Sequence, residues 1–290
     1  MNAQSAPIRL SRDGEALTVW AGEVPIAVVD DGERMPDSDA PRPFLHPLRT
    51  LTGRTVSDDC PPDHTWHHGL SLAIANVTLA SEPLGANFWG GPTFVDGEYR
   101  TLDNRGRQVV REARSDERDA TLRFVIEWRS VRGRPLLEET RMLRFSQSGG
   151  SPEPGWALEW RSALQNIAGE PIGFGSPTTA GRPAAGYGGL FLRAAPQLHD
   201  ADVLLDGIPV PTGEAMGRRG TAMTLRGGGA AVTMTASADN PVTPTTWFVR
   251  TGESVMLCSA PFFDDVFELA AGESATWIWR LEVRDHHFEG

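Results

Sequence analysis

Short apolar runs broken by turn residues set the pattern of this chain. Between Leu136 and Phe145, residues Leu137, Glu139, Arg141, Leu143 and Phe145 fall on one parity, and Glu138, Thr140, Met142 and Arg144 on the other. That is the period of a strand with one covered face. The run from Trp277 to Val283 alternates in the same way, with Trp277, Trp279, Leu281 and Val283 on the buried side. Comparable runs recur at 121–128, 156–161, 188–193, 201–205, 222–225, 230–236, 247–250 and 254–257, each bounded by Gly, Pro, Asp or Ser. Near the start, 17–20 and 24–29 flank Ala21-Gly22-Glu23 as a hairpin would. The one helix-length candidate, Arg105 to Asp119, is mostly polar, and no internal repeat stands out. The spacing predicts an all-β chain, an antiparallel sandwich or barrel with few short helices, rather than βαβ units. A patterned terminal strand has to pair with an earlier one, so residues 1–290 are read as a single β domain.

In that strand reading, Glu139 and Arg141 lie on the apolar face, where each must pair or meet a ligand. The segment 32–43 is polar, acidic and proline-rich and reads as a surface loop. Composition narrows the partners. A formal charge of -11 argues against nucleic acid, since phosphate binding depends on clustered cations. All 27 cations are arginine, so neither lysine Schiff-base chemistry nor a P-loop lysine is available. Cys60 and Cys258 lack CxxC spacing and are expected to be reduced and buried. No membrane-length apolar stretch and no apolar leader core are found, so a soluble, cytoplasmic protein is expected. Oligomerisation is left open.

Candidate chemistry concentrates in Asp63-His64-Thr65-Trp66-His67-His68-Gly69, which holds three of the chain's 7 histidines. On a helix the three rings would share a face as metal ligands can; on a strand His67 and His68 would point to opposite faces. Cys60-Pro61-Pro62 just before them is a loop signal, so neither geometry is assured. Three uses follow: a divalent metal held by these histidines with Asp63 and His46, His286 or His287; a structural corner; or acid-base and hydrogen-bonding groups lining a ligand site. The spacing matches no HExxH or paired CxxC pattern. Trp89, in Asn87-Phe88-Trp89-Gly90-Gly91, is either a sugar platform or core. Tyr187 is either a proton or hydrogen-bond donor or a buried structural hydroxyl, and Asn240 either a ligand contact or a turn residue. With no Rossmann, Walker, kinase or GxSxG motif, no nucleotide cofactor is expected.

Taken together, 42–77, the NFWGGP, LLEETRMLRF and GRPAAGYGGLFLRA segments, SADNPVTPTTWFVR and the closing LAAGESATWIWRLEVRDH resemble the PmoA-like domain family over about 42–285. That family is named for a methane oxygenase, but nothing in this sequence looks like a membrane copper monooxygenase subunit. The resemblance implies a large antiparallel β-sandwich similar to the galactose-mutarotase supersandwich, and a place beside sugar oxidoreductases in bacterial carbohydrate catabolism. It matches Asp63, His64, His67 and His68 to the family's DH..HH signature and His46-Pro47 to its HP element. It also matches Glu139 and Arg141 to its E.R pair, Tyr187 and Arg193 to YGG..R, and Asn240, Trp247 and Arg250 to NP...P..W..R. One departure is Ala238-Asp239-Asn240-Pro241, where many members carry a histidine before the Asn-Pro region.

Two functions are then expected. The first is a cofactor-independent enzyme acting on a sugar or oxidised sugar by epimerisation, elimination or glycoside cleavage. In it one of His64, His67 and His68 takes or gives a proton and a second imidazole or Glu139 supplies the complementary step, while Arg141, Arg193 or Arg250 holds a carboxylate or a developing oxyanion. The second is a non-catalytic sugar-binding module with Trp89 and Trp247 as platforms. A metal-dependent enzyme using the same histidines is the remaining alternative.

Overall fold

The computed structural model describes residues 7–13, 16–149 and 153–286. Two nine-stranded antiparallel sheets carry the fold. The first runs, edge to edge, Ile8–Asp13, Ala16–Ala21, Val24–Asp30, Phe44–Leu48, Leu70–Ala73, Gly189–Arg193, Met256–Ser259, Thr245–Arg250 and Arg219–Gly220. The second runs Arg107–Asp116, Thr121–Arg129, Pro135–Gln147, Gly155–Asn166, Ser274–Asp285, Ala230–Ala236, Ala222–Gly227, Asp202–Leu205 and Ile208–Val210. Four short strands form a smaller sheet, and Thr93–Val95 pairs with Glu98–Arg100 in a separate hairpin. The all-β expectation of large antiparallel sheets with few short helices holds. Neither large sheet closes on itself, so the barrel alternative falls.

The strand Ser274–Asp285 is an interior strand. It lies between Gly155–Asn166 and Ala230–Ala236 at the middle of the second sheet, and its odd-numbered side chains are buried as the alternation predicts. One continuous apolar core joins Leu70, Leu190, Leu192, Trp247 and Leu257 of the first sheet to Trp128, Trp156, Trp160, Trp277 and Trp279 of the second. Polar bonds cross the same space: Trp279 Nε1 donates to Ser259 Oγ at 2.9 Å, and Gln108 Nε2 to the Leu72 carbonyl at 2.8 Å.

Three local expectations change. The segment 105–119 holds no helix; Arg107–Asp116 is a strand, bulged between Val110 and Glu112. Its polar sequence suits an edge strand, which must offer charge to water rather than a second apolar face. Cys258 is buried, but Cys60 is exposed. The segment 32–43 turns inward at its end, where Asp39 and Arg42 are buried.

At the centre of the first sheet the strands are buried on both faces. In Gly189–Arg193 the leucines Leu190 and Leu192 enter the main core, whereas Phe191 faces a second cluster with Trp89, Phe248, Met256, Cys258 and Phe263. Thr245–Arg250 divides likewise, with Trp247 and Val249 inward and Phe248 outward. The outer face of this sheet is therefore an aromatic floor, and the loops above it make the site.

Candidate functional site

Backbone turns hold the histidine loop in shape. His64 N donates to the Pro61 carbonyl at 2.9 Å and His67 N to that of His64 at 3.0 Å, while Cys60 N donates to His67 O at 2.8 Å. This is neither helix nor strand, but the turn sets His64 and His67 three positions apart with rings stacked 4.7 Å between centroids. Below, the buried Arg42 guanidinium donates to the carbonyls of Trp66 at 2.7 Å, Asp39 at 2.8 Å and Ala40 at 3.1 Å. A charged donor satisfying several otherwise buried carbonyls pins the loop to the sheet; burial there lowers the Arg42 pKa to about 10.

The loop closes over a cavity of about 270 Å3. Its walls are the rings of Trp66, Trp89, Tyr187 and Phe248, with His64, His67, Tyr99, Arg182 and Arg250 as polar groups. His67 rests on Phe191 at 5.0 Å and meets Trp89 edge-on at 5.6 Å. Gly90 and Gly91 have φ of 97° and 63°, and a Cβ on Gly91 would come within 2.5 Å of the Trp66 ring. Only glycine lets that turn pass beneath the indole. At the rim, Tyr99 and Tyr187 hydroxyls are 3.0 Å apart and Arg182 donates to Tyr99 Oη.

The stacked imidazoles hold different proton assignments because their Nδ1 atoms meet different partners. Arg193 Nη1 approaches His67 Nδ1 at 3.4 Å. A guanidinium only donates, so His67 Nδ1 must accept, and the neutral ring carries its proton on Nε2. Burial foremost, then the charges of His64 and Arg193, holds the His67 pKa well below the usual imidazole value, so this neutral form prevails. His64 is the reverse: its Nδ1 sits 2.7 Å from Asp63 Oδ2, an acceptor, so Nδ1 carries a proton and, in the neutral ring, Nε2 holds the lone pair. The bond from His64 in turn lowers the Asp63 pKa, keeping it a carboxylate. Tyr187 is pushed well above the usual phenol range, by burial first and then by Tyr99, and stays protonated.

The remaining expected site residues lie elsewhere. His68, adjacent in sequence to His67, is buried below the loop with Nδ1 2.6 Å from Asp59 and Nε2 3.7 Å from Asp39. It braces the loop. His46 pairs through Nδ1 with Ser57 Oγ at 2.9 Å and does not line the cavity. Arg193 stands behind His67, buried, with Nε 3.6 Å from Asp58. Four expected site residues lie away from the cavity, each with a structural partner. Glu139 and Arg141 are 0% and 1% exposed and pair with each other inside the core. Trp247 is fully buried, with Nε1 donating to the Gly220 carbonyl at 3.1 Å, because its parity on the strand points it inward. Asn240 holds the backbone of Ile278 through two bonds, 2.7 and 3.0 Å, in place of a ligand.

The histidines do not converge on a point: His64 and His67 face the cavity and His68 the loop interior. Among the described residues no three His, Cys, Asp or Glu side chains are placed to hold a metal ion. His286 is 2.6 Å from Glu153, and His287 lies outside the described residues. The sequence reading missed Trp66, Tyr99, Arg182, Phe248 and Met256. Two signals could have found some of them: Trp66 lies between the histidines, and Phe248 shares strand parity with Arg250. Nothing local marked Arg182.

Fold and cavity together define a β-sandwich protein with an aromatic, arginine-bearing site on the outer face of one sheet. The chain belongs to the family of unknown function DUF6807, whose profile matches residues 8–290. No curated relative matches it. Among solved structures, the galactose mutarotase related enzyme from Lactobacillus acidophilus is similar at 11% identity and a TM-score of 0.45, over 97% of this chain and 98% of that one. A heparan sulfate lyase mutant from Pedobacter heparinus aligns at 10% identity and TM-score 0.39, covering 98% of this chain but 36% of its own length. The α-galactosidase of Geobacillus stearothermophilus aligns at 13% identity and TM-score 0.39, over 97% and 41%. This chain thus spans little more than a third of the lyase. No helix among the described residues is long and apolar enough to cross a membrane.

Proposed function

We propose that the cavity binds a sugar and that the stacked pair His64 and His67 carries proton transfer on it. The observation behind this reading is that the two stacked rings meet opposite kinds of partner at Nδ1, an acceptor for His64 and a donor for His67, which assigns a lone pair to Nε2 of a neutral His64 and a proton to Nε2 of His67. His64 Nε2 takes a proton from a sugar carbon next to a carbonyl or carboxyl group, and Asp63 stabilises the imidazolium that results. His67 Nε2–H donates to the oxygen on which negative charge builds, as a neutral imidazole can. Delivery of a proton to the opposite face of that carbon completes an epimerisation; departure of a β-substituent completes an elimination. Tyr187, held as a phenol, is the second donor at the cavity. The aromatic walls suit the apolar face of a pyranose. Glycoside cleavage is less well supported, because its usual carboxylate pair is missing from the residues lining the cavity.

The test is proton exchange in D2O. The protein is incubated with a panel of sugars, sugar acids and keto-sugars, and loss of a C–H signal is followed by NMR. His64→Ala is expected to slow exchange by roughly 10²–10⁴-fold, the usual contribution of a positioned base, with Asp63→Asn showing a smaller loss. Undiminished exchange in His64→Ala would refute the assignment. Binding without exchange of any C–H would make the protein a sugar-binding module.

A further inference from the structure

Two cations line the cavity without a counter-ion. Arg182 and Arg250 are both on its wall, whereas no aspartate or glutamate is. Arg182 donates to Tyr99 Oη and lies 4.5 Å from the centre of that ring; Arg250 lies over Phe248 at 5.1 Å. Neither has an ion-pair partner among the described residues; Arg182 is half-buried and Arg250 exposed at the mouth of the cavity. Arg182 bonds Tyr99, whose hydroxyl is 3.0 Å from that of Tyr187, and Arg250 lies over Phe248, whose ring is 5.5 Å from Tyr187, so both stand near the Tyr187 end of the cavity. In a chain of net charge -11, leaving two guanidinium groups unpaired around an aromatic chamber favours a ligand that brings its own negative charge.

From this arrangement we infer that the sugar is anionic, its carboxylate or phosphate received by Arg182 and Arg250 and its ring by Trp66 and Trp89. The inference rests on the carbohydrate reading above and adds the substrate class. Guanidinium groups suit such anions because their planar fork matches two oxygens at once. A volume of about 270 Å3 falls just under the roughly 300–1,000 Å3 of drug-sized sites, which fits a single sugar unit.

Isothermal titration of the full chain with matched pairs tests it: glucose against glucuronate, galactose against galacturonate, and glucose against glucose 6-phosphate. The anionic member is expected to bind about tenfold tighter or more, the low end for a charge-assisted bond. Arg250→Gln and Arg182→Gln should each lower affinity for the anionic member more than for its neutral counterpart, so that the preference shrinks, with the circular dichroism spectrum unchanged. Comparison of the uronate and phosphate arms identifies the anion. Equal affinity for neutral and anionic sugars, or a preference untouched by both substitutions, overturns the inference but spares the sugar reading. Failure of every sugar to bind overturns both.

Discussion

Removing the Glu139 carboxylate separates a structural role from a catalytic one. That carboxylate accepts from Trp128 Nε1 at 2.8 Å, from Arg141 Nε at 2.7 Å and Nη2 at 2.8 Å, and from Ser162 Oγ at 2.5 Å. Arg141 itself is 1% exposed and also lies 4.8 Å from the Trp160 ring centre. In Glu139→Ala the guanidinium stays buried with its main counter-charge gone. Breaking a buried pair from one side costs about 3–5 kcal/mol. At about 2 °C per kcal/mol for a chain of this length, the melting temperature should fall by roughly 6–10 °C. Differential scanning calorimetry reads the shift, and sugar titration at 15 °C, well below the transition, reads the site. Affinity and proton exchange should stay at the parent level, because Glu139 and Arg141 are absent from the cavity wall. The double variant Glu139→Met with Arg141→Met should recover most of the loss, since replacing both charges with apolar groups avoids the unpaired ion. An unchanged melting temperature together with lost exchange would show that Glu139 acts on substrate and that the core assignment is wrong.

Two further outcomes are expected. Because His67 is held neutral in the fold while its unfolded pKa is about 6.5, the unfolded chain takes up a proton below that pH that the native chain refuses. Stability is therefore fully present above about pH 6.5 and is lost as the pH falls towards the lowered native value. Urea midpoints from pH 7 to 5 should drop less steeply in His67→Gln, with a residual slope from His46, which burial shifts in the same direction; an unaltered slope would refute the buried neutral ring. Gly91→Ala forces a non-glycine residue to φ 63° and a Cβ to 2.5 Å from the Trp66 ring, so it should cost about 1–3 kcal/mol and also weaken sugar binding. Gly97→Ala, at φ 84° on the hairpin tip with nothing within 4 Å of its Cβ, should lose stability alone; equal affinities in the two variants would remove Trp66 from the site.

Much of the sheet architecture was legible because a covered strand writes its burial at period 2. The parity of Leu137 to Phe145 predicted that Glu139 and Arg141 share the inward face, and they do, with each other as partners. The family signature pulled the same two residues towards a substrate role. A motif shows only that residue types recur together, and a buried ion pair recurs as readily as a ligand contact. Side-chain parity along a strand is a direct consequence of backbone geometry. It also separates Trp247 from Arg250, three positions apart and hence on opposite faces of their strand.

The sequence by itself determined the all-β class, the inward faces of the long strands, the loop character of the histidine segment and the absence of lysine chemistry. These are local or compositional properties, set within a few residues by sterics and side-chain period. The tertiary structure decided which residues form the cavity, since Trp66, Tyr99, Arg182 and Phe248 come from separate elements that meet only when the sheet is assembled. It also decided what each histidine can do. Proton placement on an imidazole depends on the partner of its Nδ1, and those partners differ along one short loop: Asp63 for His64, the distant Arg193 for His67 and Asp59 for His68. No local pattern could assign them, because two of the three partners reach their histidine only after the chain has folded back on itself.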